Sequence, residues 1–352
     1  MRRLRITIAA LVLSALGLVA GASASQASVG SVYFDDNNNA AAGETLFNGT
    51  FTGEGNVGLG RSVMPNLTSG SRNTAVGREA LLANTSGSLN SATGYNALRA
   101  NTTGSANVAT GFNALASNTT GFGNIATGGA ALANSTTGGN NIATGADSLF
   151  FNSTGHDNIA TGSEAMFSNG TGFANIAIGS NALNHNTDGH DNLAAGINAL
   201  ITNTTGDNNI ATGPNTLSAN TTGNNNVAAG INALLNATGS ANVALGKDAG
   251  KNLTTGSNNV DIANLGRPAD SGTMRIGGAS QTATFIAGIS GTSIPGPTQT
   301  VVVNPTGQLG TATAAKSAAD LGQLMDTVER QQHALKSQQR QIERLRKLVK
   351  GG

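Results

Sequence analysis

The chain has 352 residues and no cysteine, so thiolate zinc sites, disulfide scaffolds and cysteine nucleophiles are excluded. Acid–base or metal chemistry would rest on the four histidines, His156, His185, His190 and His333. Two of them sit in identical stretches, "GHDN" at 155–158 and again at 189–192, 34 residues apart. Imidazole beside carboxylate, repeated on one face, could hold a metal ion weakly. The same residues also make a solvated turn. No nucleophile–base pair, metal-ligand spacing or phosphate-binding loop accompanies them. We expect no enzymatic activity, no metal site and no cofactor.

The chemistry that does recur is that of the side-chain amide. Asn73, Asn90, Asn107, Asn124, Asn141, Asn158, Asn175, Asn192, Asn209 and Asn226 follow one another at 17 residues, and Asn242 comes 16 after the last. Asn56 and Asn259 continue the series at either end. An amide both donates and accepts, so stacked asparagines can bond along a ladder or tie off a turn without leaving a polar group unpaired. A catalytic site is needed once, whereas a ladder is needed at every step. We read this column as structural.

Such a ladder needs a repeated coil to carry it. Starting each unit at its glycine gives Gly53, Gly70, Gly87, Gly104, Gly121, Gly138, Gly155, Gly172, Gly189, Gly206, Gly223 and Gly239, with a thirteenth unit from Gly256 that soon departs. Fixed self-similarity near this length marks a solenoid. Asparagine takes the fourth position and Ile or Val most often the fifth. Alanine takes the sixth in all of the twelve but the first, which has Gly58, and glycine takes the eighth. Positions four to eight alternate with period two and predict a short strand. The glycine that follows predicts a positive φ or a tight corner. Alanine at eleven and leucine or methionine at twelve, as in "YNALR" and "SEAMF", break that alternation, and both favour helix. One or two helical turns are expected there, and "NTTG" then closes the coil.

Composition agrees with this scheme. Charged residues are 11% of the chain, the formal net charge is +1, and there are 49 Gly, 10 Phe, 2 Tyr and no Trp. Nucleic-acid binding is not expected from so small a charge. A polar chain of this kind is disordered unless its residues recur in register, which they do. Three or four apolar side chains per coil make a thin core, so three columns packed about an axis are favoured over one.

The ends differ from the repeat. Arg2, Arg3 and Arg5 precede an apolar run from Ile6 to Ala20, and small residues follow at Ala22–Ala24 and Ala27. This predicts a secretory signal peptide over 1–27 and hence a secreted or cell-surface protein. Residues 28–52 lead in, 53–263 form the repeat, and 264–311 read as a small β neck with β-rich runs at 282–287 and 298–303. Over 312–352, Leu321, Val328, Leu335, Ile342 and Val349 fall seven apart, with Leu324, Gln331, Gln338 and Leu345 between them. This is an a/d pattern for a coiled coil in which the two glutamines set register and strand number.

Units such as "NTAVGREALLANTSG" and "NVATGFNALASNTTG" resemble the head repeats of trimeric autotransporter adhesins, the YadA-like heads, and of bacterial tail-fibre-like proteins. "NNVDIANLG", "GTMRIGG", "TFIAGISG" and "VVVNPTGQLGT" are similar to the run that precedes the self-cleaving chaperone of the latter. The resemblance spans about residues 53 to 311. It implies an extended, surface-exposed homotrimer that is often adhesive, with a glycan, matrix or other surface as ligand. Two departures matter. After Thr311 the chain passes directly into the heptads where the family continues into its chaperone, and no membrane β-barrel follows. Neither self-cleavage nor barrel anchoring is expected.

The fold expected is therefore mainly β: a parallel β-solenoid of 17-residue coils with short helical turns, a β neck and a C-terminal coiled coil, in a homotrimer. The function expected is that of a non-catalytic adhesin-like fibre. The alternative is an ice- or crystal-binding solenoid, because the seventh position is threonine at Thr93, Thr110, Thr127, Thr144, Thr161 and Thr212. Ile178, Ala195, Ala229 and Leu245 interrupt that row.

Overall fold

The computed structural model describes residues 31–47, 51–286, 296, 300–311 and 314–350; the signal-peptide assignment over 1–27 lies outside them. The chain divides into two units, Met1–Thr282 and Ala283–Gly352.

The first unit is a single sheet of sixteen strands whose spatial order is their order in sequence. Strands β1 (Ser31–Phe34) and β2 (Ala40–Gly43) form an antiparallel hairpin. From β2 onward all pairing is parallel, through β3 (Val57–Leu59) to β16 (Met274–Ile276). The strands of the repeat are three residues long and occupy positions five to seven. Like positions pair with like: Val108 with Ile125, Ala109 with Ala126, Thr110 with Thr127. A slip of one residue would turn the buried alanine outward, so the alternation fixes the register. The sheet runs past the repeat at both ends, through β1 and β2 in the lead-in and β16 beyond residue 263.

The coils from Gly53 to Gly223 bury their first-position glycine and side chains at five positions, typically Asn four, Ala six, Ala eleven, Leu twelve and Asn fifteen. In the coil from Gly104 these are Asn107, Ala109, Ala114, Leu115 and Asn118, all solvent-excluded. At the amino-terminal end Tyr33, Phe47 and Phe51 cluster edge to face and cover the first coil.

The expected helical turns are absent. Residues after the eighth-position glycine form tight turns in which positions ten and twelve both have positive φ, for example Asn96 at 59° and Leu98 at 52°. Their N–H groups alternate between a carbonyl three residues back and a neighbouring coil, the preceding one for position ten and the next one for position twelve. Arg99 N–H bonds to Asn96 O at 3.2 Å, while Leu98 N–H bonds to Ala114 O at 3.0 Å. The reason is spacing. Parallel strands stack about 4.8 Å apart, whereas helices cannot approach closer than about 8 Å. A helical turn would also satisfy its N–H groups internally and leave none for the neighbouring coil. Holding leucine at positive φ costs roughly 1–2 kcal/mol. Full burial of its side chain, worth about 1.5–3 kcal/mol, offsets this.

Close stacking also explains two glycine columns. Gly145 has φ 134°, and a Cβ there would lie 2.5 Å from the carbonyl oxygen of Gly162 in the next coil. At Gly121, in the first position, it would lie 2.3 Å from Asn118 Oδ1 and 2.4 Å from Gly138 O.

In the second unit, β17 (Val301–Val303) and β18 (Leu309–Thr311) form an antiparallel hairpin. Of the two β-rich runs read in the neck, the second contains a strand. Residues 282–286 contain none, and Ala287 lies outside the described residues. Helix α1 spans Ala314–Lys350.

Gly145→Ala should lower stability by about 3 kcal/mol or more, from positive φ plus the clash. Gly129→Ala, where a Cβ meets nothing within 4 Å, should change it by less than about 0.5 kcal/mol. Urea denaturation of both variants checks this; equal effects would contradict the stacking argument.

Candidate functional site

The structure brings Asn73, Asn90, Asn107, Asn124, Asn141, Asn158, Asn175, Asn192, Asn209, Asn226 and Asn242 into one column, buried to within 1% of complete exclusion. The rungs from Asn73 to Asn226 follow the same scheme, and at Asn242, one residue closer in sequence, the backbone N–H makes the bond to Asn226 Oδ1 and Nδ2 bonds to Gly256 O. Asn141 donates its backbone N–H to Asn124 Oδ1 at 3.0 Å, and its Nδ2 donates to the same oxygen at 3.1 Å and to Gly155 O at 2.8 Å. Its own Oδ1 accepts the backbone N–H and Nδ2 of Asn158, both at 3.1 Å. Two donors and two acceptor sites are thus all engaged, which is the capacity of the amide. Asn39 starts the column ahead of the repeat, and Asn259 continues it.

Asp35 anchors the first rung by accepting the N–H and Nδ2 of Asn39. Burial pushes its carboxyl up. The bonds it accepts, from Asn39 first and also from Tyr33 and Asn37, outweigh this and hold it below the usual range.

A second amide column was not read as such in the sequence. Position fifteen, the asparagine of "NTTG", carries Asn84, Asn101, Asn118, Asn152, Asn169, Asn186, Asn203 and Asn220, all buried. Asn101 Nδ2 bonds to Asn84 Oδ1 at 2.9 Å and to Gly104 O at 2.9 Å, and later rungs repeat this. The signal was its recurrence every 17 residues; the reading as a turn residue concealed it. Ser135 breaks the column. There Asn118 Oδ1 and Ser135 Oγ are buried without a hydrogen-bond partner, as is Asn220 Oδ1 where Ala237 follows.

The outer face of the sheet carries two further columns. Position five places Val108, Ile125, Ile159, Ile176, Ile210, Val227 and Val243 in a row, each about two-fifths exposed. Position seven places Thr93, Thr110, Thr127, Thr144 and Thr161 on five successive paired strands, outward-facing. Ile178 and Ala195 then interrupt before Thr212.

The histidines of "GHDN" fall in the column of position two, with Phe173 between them. His156 stacks on Phe173 at 5.2 Å between centroids, and Phe173 on His190 at 4.6 Å. His190 also meets two carboxylates, Asp191 at 3.0 Å and Asp207 at 3.3 Å. His185 lies in another column, with Nδ1 3.0 Å from Ile201 O, and His333 is on α1. Other surface columns stack as well: Tyr95 on Phe112, and Phe150 on Phe167.

At the far end of the sheet one rung departs from the pattern. Asp261 stands where other coils have alanine, is 1% exposed, and neither carboxyl oxygen has a partner. Gly250, in the place of the usual leucine, leaves room for it. Arg275, its strand partner, is committed to Asp270 at 2.5 and 2.7 Å. Burial raises the Asp261 carboxyl to about 6; the charge of Asp270 adds to the rise and that of Arg275 opposes it.

On α1, Val328, Leu335, Ile342 and Leu345 are exposed, as are Gln331 and Gln338 between them. Leu321, Leu324 and Val349 lie outside the side chains described. Among the described residues no helix is long and apolar enough to cross a membrane. Comparison of the chain with family models, curated proteins and solved structures finds no match.

Two predictions follow the ladders. Asn141→Leu strands the N–H and Nδ2 of Asn158 and the carbonyl of Gly155; it should cost about 3 kcal/mol. Ser135→Asn should complete the second column and add about 1 kcal/mol. Thermal unfolding of both variants tests this, and a neutral Asn141→Leu would refute it. A third prediction concerns pH. A carboxyl raised by folding contributes stability fully below its unfolded value near 3.8 and loses it as pH rises through about 6. Carboxyls held low, such as Asp270 by its bonds to Arg275 and Glu79 by its bond to Arg99, lose theirs only at lower pH. The urea midpoint should therefore be higher at pH 5 than at pH 7.5, and Asp261→Ala should abolish that difference. Persistence of the difference in the variant would contradict the assignment.

Proposed function

We propose that this chain is a secreted or cell-surface, non-catalytic fibre protein that assembles as a homotrimer and presents a repetitive adhesive surface. The observation that carries this reading is the continuous column of Val and Ile, with one Leu at Leu193, on the outer face of the sheet. It runs from Val108 to Val243 with every side chain partly open to solvent. An apolar stripe of such length on a single protein marks an interaction surface. Because the stripe repeats with the coil, another copy of the chain offers a surface of the same period, which supports self-association. The exposed heptad positions of α1 supply a second apolar row, and a coiled coil would cover it.

The resemblance to YadA-like head repeats supports three chains rather than two. The adhesive part of the reading rests on which positions vary. Positions four, six and eight are nearly fixed by the ladder and the stacking. Positions two, nine, ten, thirteen and fourteen face outward and differ from coil to coil. A surface so arranged suits attachment to a glycan, matrix or other extended ligand at many points. No nucleic-acid partner fits a net charge of +1. A second reading draws on the five outward threonines from Thr93 to Thr161, a short flat hydroxyl array of the kind that meets an ice or crystal lattice. Thermal hysteresis in a solution of the purified protein would favour it over the fibre.

Sedimentation equilibrium of the secreted protein tests assembly. Three times the protomer mass is expected, and Ile125→Lys with Ile176→Lys should weaken association about tenfold or more. A monomer at high micromolar concentration would overturn the proposal. For the tail, a peptide of residues 318–350 should be helical and self-associating, and replacing Gln331 and Gln338 by Ile should raise its thermal stability.

A further inference from the structure

One coil of the array differs from its neighbours on the outside. In the unit from Gly121, positions nine, ten and thirteen are Gly129, Ala130 and Ala133, so its turn surface carries almost no side chain. The coils on either side carry aromatics. Tyr95 and Phe112 stack at 5.5 Å and 9°, and the next residue in their column is Gly129. Phe150 and Phe167 stack at 5.2 Å and 5°, and the residue before them in their column is Ala133. Each stack therefore stops at this coil, and its last ring has only a small neighbour on that side. Beside the second stack lies a recess of about 380 Å³, floored by Ala116, Ala130 and Ala133 and walled by Phe150, Asn113, Asn134 and Arg99; Phe150 is the one stacked ring that lines it. That volume falls at the lower end of the range for small-molecule sites.

The polar groups of the recess are incompletely paired. Position ten elsewhere carries a third amide row, Asn181, Asn198, Asn215 and Asn232, ending on Asp248. At the recess the row is cut short. Asn96 Nδ2 bonds to Asn113 Oδ1 at 3.0 Å, but Asn113 Nδ2 has no acceptor among the described residues, because the next rung is Ala130. Asn96 also lines the recess, and its Oδ1 is buried without a partner. The one cation, Arg99, is tied to Glu79 at 3.1 Å.

We infer that this recess binds the ring of a neutral saccharide, one pyranose unit of a glycan, and that it is the contact through which the proposed adhesive surface recognises its ligand. The inference rests on that adhesive reading. An electron-rich aromatic face attracts the polarised C–H groups of a pyranose face. The Asn113 Nδ2 donor can pair with a ring hydroxyl without demanding charge. Arg99 shares the single carboxylate of Glu79 with Arg78, so the recess keeps a cationic rim whose N–H groups can also donate to a ring hydroxyl. An aromatic side chain of a partner would stack equally well but leave the Asn113 Nδ2 donor covered without an acceptor, a costly arrangement. A shallow site for a single ring gives a Kd on the order of 1 mM. The proposed trimer would present three such sites, and multivalent attachment makes so weak a contact effective.

The test is ligand-observed NMR and titration of the full secreted protein. The probes are methyl β-glucopyranoside, methyl β-galactopyranoside, methyl N-acetyl-β-glucosaminide and, as the aromatic comparator, N-acetylphenylalanine amide. At least one pyranoside should bind and shift the resonances of Ala133 and of the Asn113 side-chain amide, both of which line the recess. Phe150→Leu removes the aromatic wall, and Asn113→Ala, the residue that the next coil already carries at Ala130, removes the amide donor. Both should weaken binding at least tenfold while the variants keep the thermal transition of the parent to within a few degrees. Binding of no pyranoside, binding unaltered in Phe150→Leu, or binding of the amide alone would overturn the inference. Attachment of the full chain to a glycan-coated surface is measured in parallel. If attachment persists without pyranoside binding, the recess assignment fails while the adhesive reading stands; if attachment itself is absent, it is the adhesive reading that fails.

Discussion

The structure depends on one constraint: a buried side chain must hydrogen-bond to a copy of itself in the coil above and the coil below. Asparagine meets it because its amide is neutral and both donates and accepts. Aspartate in the same place would stack like charges one coil apart and set a carboxylate against the glycine carbonyl that the amide now ties down. Leucine would bury more apolar surface but strand the backbone N–H of the fourth position in every coil. Replacing one rung disturbs three coils, so the positions are coupled along the column. The interior can consequently be built largely from Asn and Ala, with a single Leu or Met per coil, and still leave few polar groups unsatisfied.

Coil spacing is the second determinant, and it shows what was legible in the sequence. The strand at positions five to seven, its register and the positive-φ glycine at the eighth position all follow from period-two alternation and a fixed glycine. The turn at ten to twelve does not follow, because alanine and leucine carry helix propensity and nothing local opposes it. Propensity is a weak prior, and here stacking overrides it. A helical turn does not fit between strands one hydrogen bond apart, so Leu98 and its counterparts take positive φ instead. The amide column of Asn84 to Asn220 was visible as a 17-residue recurrence but was hidden by its resemblance to ordinary turn chemistry. Asp261 carried a signal too, a charged residue in an alanine position, although its burial needed the fold.

With the interior so constrained, variation is confined to the outward positions, and these carry whatever recognition the protein performs. Column neighbours on the outside are residues 17 apart, which is why the two "GHDN" copies do not meet directly. Phe173 comes between them and stacks on both imidazoles. The same rule lines up the Val and Ile stripe, the threonine row and the two aromatic stacks that stop at Gly129 and Ala133. A surface feature of this protein is therefore read down a column, and the place where a column loses its side chains becomes as informative as the place where it gains them.

The central claim is that side-chain amides, more than the thin apolar core, hold the coils together. Hydrogen exchange of the asparagine side-chain NH2 groups, followed by NMR in the folded protein, tests it most directly. Amides solvated in the ordinary way exchange rapidly, whereas those locked in a ladder exchange only when coils separate. The account predicts that the side-chain NH2 of Asn90 through Asn226 and the backbone N–H of the same residues exchange together and slowly, at the rate of coil opening. Side-chain NH2 groups exchanging at solvent rates while the strand amides of Ala109 or Ala126 stay protected would contradict it.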